Sequence, residues 1–174
     1  MQTELIETNR LRGEKIQVSH LPFLVKMGFN PTVMATLGGI WNPETALQKI
    51  ECNCEQWQKY GHGQWIFFDK ITDEFIGRGG IRRVTVNEQE EIELGYALMP
   101  KFWGQGLAVE IGEKALTIAF NQFNYFSVVC YTLIDNKRSQ RVMEKIGFAF
   151  EGNIIHANQP HVLYRYQNPL AMQT

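Results

Sequence analysis

The chain of 174 residues has the length of one domain, and its 44% hydrophobic and 20% charged residues are globular proportions that exclude collagen-like, coiled-coil and disordered chains. Seventeen Lys and Arg against eighteen Asp and Glu leave a formal charge of −1, so no whole-chain field draws it toward nucleic acid or anionic lipid, and neither partner is expected. No apolar run approaches the roughly 18 residues of a membrane span, and residues 1–5 lack the basic-then-apolar order of a signal peptide, so the expected location is cytoplasmic.

In chain order, a short strand is expected over residues 6–12, a weak helix over 19–27 and a Gly/Pro-bearing loop over 29–39. Asn42 before Pro43 is an N-cap signal. The helix it opens carries the apolar stripe Leu47, Ile50, Cys54, Trp57 and stops at Gly61. Aromatic and β-branched runs over 65–68 and 75–86, joined by a polar turn, predict a hairpin. Residues 90–98 alternate, with Ile92, Leu94, Tyr96 and Leu98 on one face and Glu93, Gly95 and Ala97 on the other, until Pro100 closes the strand. Gly104-Gln105-Gly106 then leads into a helix with the stripe Ala108, Ile111, Ala115, Ile118, Ala119. A strand over 127–134, a helix over 136–146 ended by Gly147, and an antiparallel pair over 148–155 and 162–166 complete the chain. With no repeat or linker, this order predicts one α/β domain, a mixed sheet with helices on its faces.

Cys52, Cys54 and Cys130 are odd in number and form no Cys-x-x-Cys pair, while His20, His62, His156 and His161 are scattered, so neither a disulfide framework nor a metal site is expected. The segment Gly104-Gln105-Gly106-Leu107-Ala108 is more informative. A glycine turn feeding a helix start presents amides without intrahelical acceptors at the positive end of the helix dipole, which suits a phosphate, although a plain strand-to-helix turn has the same letters. Ser139 lies at i, i+3, i+4 and i+7 with Val142, Met143 and Ile146, so its hydroxyl points with the buried stripe and needs a partner, either a carbonyl of its own helix or a group beyond it. Asn136 is an N-cap candidate.

Together these stretches resemble the GNAT superfamily of acyl-CoA-dependent N-acyltransferases, whose loop pattern is (Gln/Arg)-x-x-Gly-x-(Gly/Ala) and which here reads Trp103-Gly104-Gln105-Gly106-Leu107-Ala108. The likeness is closest to the branch containing the ribosomal-protein N-terminal acetyltransferases, through Trp-Gly-x-Gly, Asn136-Lys137-Arg138-Ser139, Glu144-Lys145-Ile146-Gly147-Phe148, Glu93-Leu94-Gly95-Tyr96 and Asn9-Arg10-Leu11. It covers essentially the whole chain, residues 1–174, as a single N-acetyltransferase domain.

The resemblance implies a mixed, mostly antiparallel twisted sheet whose two parallel central strands, 90–98 and 127–134, splay into a slot for the pantetheine arm. It implies acetyl-CoA as co-substrate, held by Leu98 and Met99 at the end of the first strand, by Gly104, Gln105, Gly106, Leu107 and Ala108 at the diphosphate, and by Asn136 and Ser139. An amide near Leu98 would polarise the thioester carbonyl. Met143 stands where other members place a tyrosine acid, so Ser139 is the expected proton donor to the departing thiolate. Glu93 is the expected base, with a solvated or ion-paired strand carboxylate as the alternative. Lys137, Arg138 and Arg141 either meet the outer phosphate or form a solvated face. Cys130, inside an apolar strand with no adjacent His, is expected to be inert.

The expected acceptor is a primary amine, on a small molecule or a protein N-terminus. Segments 29–41 and 156–161 are expected to build its pocket, with Phe29, Trp41 and Tyr60 as wall or core. An exposed edge at the closing strand pair would permit a homodimer. A non-catalytic acyl-CoA sensor of the same fold is the alternative function, while a nucleotide-binding module lacks the Gly-Lys-Ser/Thr needed at β/γ-phosphate.

Overall fold

The structure, a computed structural model, describes residues 5–169; the N-terminal segment used above to judge a signal peptide lies almost wholly outside them. The elements are β1 (Leu5–Glu7), β2 (Leu11–Lys15), α1 (Leu21–Gly28), α2 (Pro31–Met34), α3 (Pro43–Tyr60), β3 (Gln64–Asp69), β4 (Phe75–Val86), β5 (Gln89–Leu98), α4 (Leu107–Asn121), β6 (Ser127–Leu133), α5 (Lys137–Ile146), β7 (Ala149–His156) and β8 (Gln159–Gln167). They form an 8-stranded sheet in the order β1-β2-β3-β4-β5-β6-β8-β7. Among the described residues only β5 and β6 pair in parallel.

Local chemistry accounts for the helix ends. Asn42 Oδ1 accepts from the Thr45 amide at 2.7 Å, and Gly61 closes α3 at φ 73°. The single strand expected over 6–12 is instead β1 and β2, folded by a tight turn in which the Thr8 amide donates to the Leu11 carbonyl at 2.9 Å. The loop expected over 29–39 contains α2, because the Asn30 side chain accepts from the Thr32 and Val33 amides and Pro31 starts the turn. The first helix begins at Leu21, with Pro22 in its first turn, after a 3-10 turn over Val18–His20.

The core lies on both faces of the sheet. One face carries Leu94 and Cys130 against Ala115 and Ala119 of α4 and Met143 and Ile146 of α5. The other packs Ile66, Phe68, Phe75 and Ala97 against Met27, Trp41 and Ile50 from the α1–α3 region. The feature that positions the site is a failure of pairing. Strands β4 and β5 stay in register from Gly77↔Leu98 to Val86↔Gln89, whereas β5 and β6 share only Glu93↔Val129. Beyond Glu93 the two strands diverge.

Candidate active site

A cavity of about 1380 Å³ opens where β5 and β6 separate, reaching from the Gly104 loop and the start of α5 to Trp41 and the β7–β8 turn. Its first wall is backbone. The Met99 amide donates to the Ile76 carbonyl at 2.9 Å, which commits that amide to β4. Because peptide groups alternate direction along an antiparallel strand, the Leu98 amide and carbonyl face the slot instead. The Leu98 carbonyl accepts from the Trp103 indole at 2.8 Å, so Trp103 ties the loop to the strand end, while Arg138 lies 4.8 Å over its ring.

Helix α4 is preceded by Gly106 as its N-cap, at φ 78° and with no side-chain cap on the first turn. Gly104, also at positive φ, has open space where a side chain would stand. Across the loop Arg10 forms a brace: its Nη1 donates to the Gln105 carbonyl at 2.9 Å, and its Nε and amide donate to the Glu110 carboxylate, each at 2.8 Å. The Thr8 hydroxyl donates to the same carboxylate. Burial alone would raise the Glu110 carboxyl, but these bonds outweigh it and hold the group below the usual carboxylate range. Spacing carried no signal for this contact, since Arg10 and Glu110 stand 100 residues apart.

Ser139 projects from the first turn of α5 toward β5. Its Oγ lies 2.8 Å from the Tyr96 hydroxyl, which also donates to the Ser139 carbonyl at 3.1 Å. The partner of this serine is therefore across the slot rather than in its own helix. Burial pushes the Tyr96 phenol well above its ordinary range, so it stays protonated. Asn136 caps α5 by accepting from the Ser139 amide at 3.3 Å and donates to Thr132 at 2.8 Å. Arg138 and Arg141 line the cavity, whereas Lys137 turns to Gln140 at 3.2 Å. Met143 is wholly buried in the core.

The other end of the cavity is polar. Glu93, 5% exposed, accepts through Oε2 from Arg82 Nε. Both lie near Tyr131, whose hydroxyl is held well above its ordinary range by burial and then by the Glu93 charge. The His156 ring stands 4.7 Å from Tyr131 and 5.3 Å from His161, and burial, followed by His161, lowers its pKa. Tyr131 and Arg82 had no prior signal, because neither lies in a recognisable motif. Of the expected pocket aromatics, Trp41 both packs in the core and lines the cavity, while Phe29 is 51% exposed away from it and Tyr60 stacks on His62. Cys130 is buried, and burial with the nearby Glu93 charge pushes its thiol well up, as suits a packing residue.

The open strand edges and the uncapped helix start fit an extended diamide arm ending in a diphosphate. The Acetyltransferase (GNAT) domain model matches residues 10–149. The chain belongs to the GNAT acetyltransferase family. This GNAT chain is 31% identical to the uncharacterized protein YkkB of Bacillus subtilis over 163 residues, 93% of this chain and 94% of that one. Its fold matches an acetyltransferase from Agrobacterium tumefaciens with TM-score 0.82 at 24% identity, covering 94% of each chain. It also matches RimL, a ribosomal α-N-protein acetyltransferase in complex with coenzyme A, with TM-score 0.80 at 19% identity over 94% of this chain and 98% of that one. The GNAT chain is thus an N-acetyltransferase with acetyl-CoA as its donor. Among the described residues no helix is long and apolar enough to cross a membrane.

Proposed function

We propose that this enzyme transfers acetyl from acetyl-CoA directly to a primary amine, with both substrates bound together in the slot and no acyl-enzyme. The observation that carries this reading is the single β5–β6 register pair, which leaves the Leu98 amide facing a slot that Ser139 and the start of α4 also line. Acetyl-CoA supplies the thioester electrophile. The amides of Gln105, Gly106, Leu107 and Ala108 take the diphosphate, with Gly104 leaving room, and Arg138 or Arg141 meets the outer phosphate. The β5 end at Leu98 and Met99 holds the arm: the Leu98 amide polarises the thioester carbonyl and Met99 contributes through groups other than its committed amide. Asn136 supports the same arm from the head of α5.

Ser139 hands a proton to the departing sulfur and regains one from solvent, while the Tyr96 hydroxyl keeps its own proton and orients Oγ. The demand is small, since a thiol with pKa near 8.5 leaves readily as thiolate near neutral pH. Glu93 accepts the amine proton directly or through water, with Arg82 orienting its carboxylate. The acceptor is a small-molecule amine or a protein N-terminus, and the edge strand β7 is the surface through which a homodimer would form. A thiol-release screen over peptides, polyamines, amino acids and aminoglycosides tests the reading. Release with at least one amine supports it; coenzyme A binding with no release from any would favour a non-catalytic acyl-CoA sensor.

A further inference from the structure

Arg78 stands on β4 opposite Ala97, on the same sheet face as Arg82 and Glu93, and lines the cavity. It is only half-buried, so the cavity reaches it. Its Nη1 donates to Gln64 Oε1 at 2.5 Å and its guanidinium lies 5.9 Å from the Trp41 ring centre. Arg82 is paired with Glu93, yet Arg78 has no carboxylate partner among the described residues. The Nε–Nη2 edge, which receives a carboxylate through two parallel bonds, is left vacant, and Nε is buried without an acceptor.

A second donor belongs to Gln64, which lines the same cavity. Gln64 is 2% exposed, and its Oε1 receives both Arg78 and, at 3.3 Å, the Asn53 amide, which fixes the flip of the side chain. Its Nε2 is therefore the free end, and it is buried without an acceptor. It lies against Gly95, where a Cβ would approach to 2.9 Å. Burial and then the neighbouring Arg82 push the Arg78 guanidinium down to about 10, against a smaller opposing pull from the Glu93 charge. Unsatisfied buried donors are costly unless something occupies them during the working cycle.

We infer that the acceptor is an amine that also carries a carboxylate, bound by Arg78 and Gln64 against Trp41, with its amino group directed along β5 toward Glu93. This inference rests on the transferase reading above and deepens it. The shared chemistry comes from two sources, the α-carboxylate of a free amino acid or the acidic side chain of a peptide's first residue.

The test compares thiol release from free L-amino acids with release from their α-amides, alongside dipeptides that begin with Asp, Glu, Asn or Gln. The free acid, or the Asp and Glu peptides, should exceed the matched amide by at least about tenfold in kcat/KM. Arg78→Gln should erase that gap through KM and leave the amides within about twofold, with Arg78→Lys intermediate and coenzyme A affinity unchanged in both. Equal use of acids and amides by the unmodified enzyme overturns the inference while leaving the transferase reading intact. If no amine releases thiol, calorimetric titration of the same pairs into coenzyme-A-loaded protein decides. Binding of acids but not amides upholds the anion subsite without the transferase reading; binding of neither overturns the subsite.

Discussion

The Tyr96 hydroxyl and Ser139 Oγ meet at 2.8 Å across the slot, joining a central strand to the first turn of α5. A phenol has one hydrogen. When Tyr96 gives it to the Ser139 carbonyl, the serine hydroxyl donates to Tyr96; when Tyr96 gives it to Oγ, the serine proton is free to leave toward the slot. Ser139→Ala should therefore lower kcat by about a hundredfold with little change in coenzyme A affinity, the low end of the usual range for losing a positioned acid. Tyr96→Phe should lower kcat less. Steady-state kinetics on the best amine checks both, and full turnover by Ser139→Ala removes the serine from proton transfer.

Glu93 is tied to Arg82, so its replacement separates a base from a structural carboxylate. A base matters most where the amine is mostly protonated. Glu93→Gln should lower kcat/KM chiefly at the acid side of the pH profile and shift that limb upward. A uniform drop at every pH would assign the carboxylate to structure alone.

The Arg10–Glu110 brace predicts that the loop is held in shape before coenzyme A arrives. Arg10→Ala should weaken coenzyme A binding by about tenfold, in keeping with the loss of charge-assisted bonds that are partly exposed. Because the Glu110 carboxyl is held below its unfolded value, its contribution is present above the ordinary carboxylate range and lost as pH falls through the folded value. Calorimetry of Arg10→Ala giving an unchanged Kd would show that the loop needs no brace.

His62 is fully buried, its Nδ1 3.3 Å from the Ile81 carbonyl and its Nε2 2.7 Å from the Tyr125 hydroxyl. A carbonyl only accepts, so Nδ1 carries the proton and Nε2 accepts from Tyr125. Burial lowers the pKa of His62, and burial does the same to His20. Their shared contribution is complete above the unfolded value of about 6.5 and is lost as pH falls below it. Urea midpoints should drop between pH 7.5 and 5.5 with an unchanged slope, and Tyr125→Phe should cost about 1–3 kcal/mol at pH 7.5. A flat midpoint across that range would contradict the assignment of a neutral His62.

Elements built from their own neighbours were legible in the chain. Helices α3 and α4 announce themselves through Asn42-Pro43 and through the stripe from Ala108 to Ala119, and β5 through strict alternation. The β1–β2 turn and the short α2 were not, because a tight turn and one turn of helix leave too few residues for a period to show. Within the site, Ser139 was legible because its spacing put a hydroxyl on an apolar stripe. Its partner Tyr96 was not assigned a role, since the pairing depends on how β5 and α5 cross. Arg10 and Tyr131 owe their positions to contacts far apart in the chain, and Arg78 to a side-chain bond across its hairpin to Gln64, none of which a local pattern encodes.

The measurement closest to the central claim is an amide NMR titration with coenzyme A. The largest shifts should fall on the amides of residues 104–109 at the start of α4 and on Leu98 in the slot, with smaller ones at Asn136 and Ser139. Saturable binding whose shifts lie elsewhere, or no binding at all, would contradict the account.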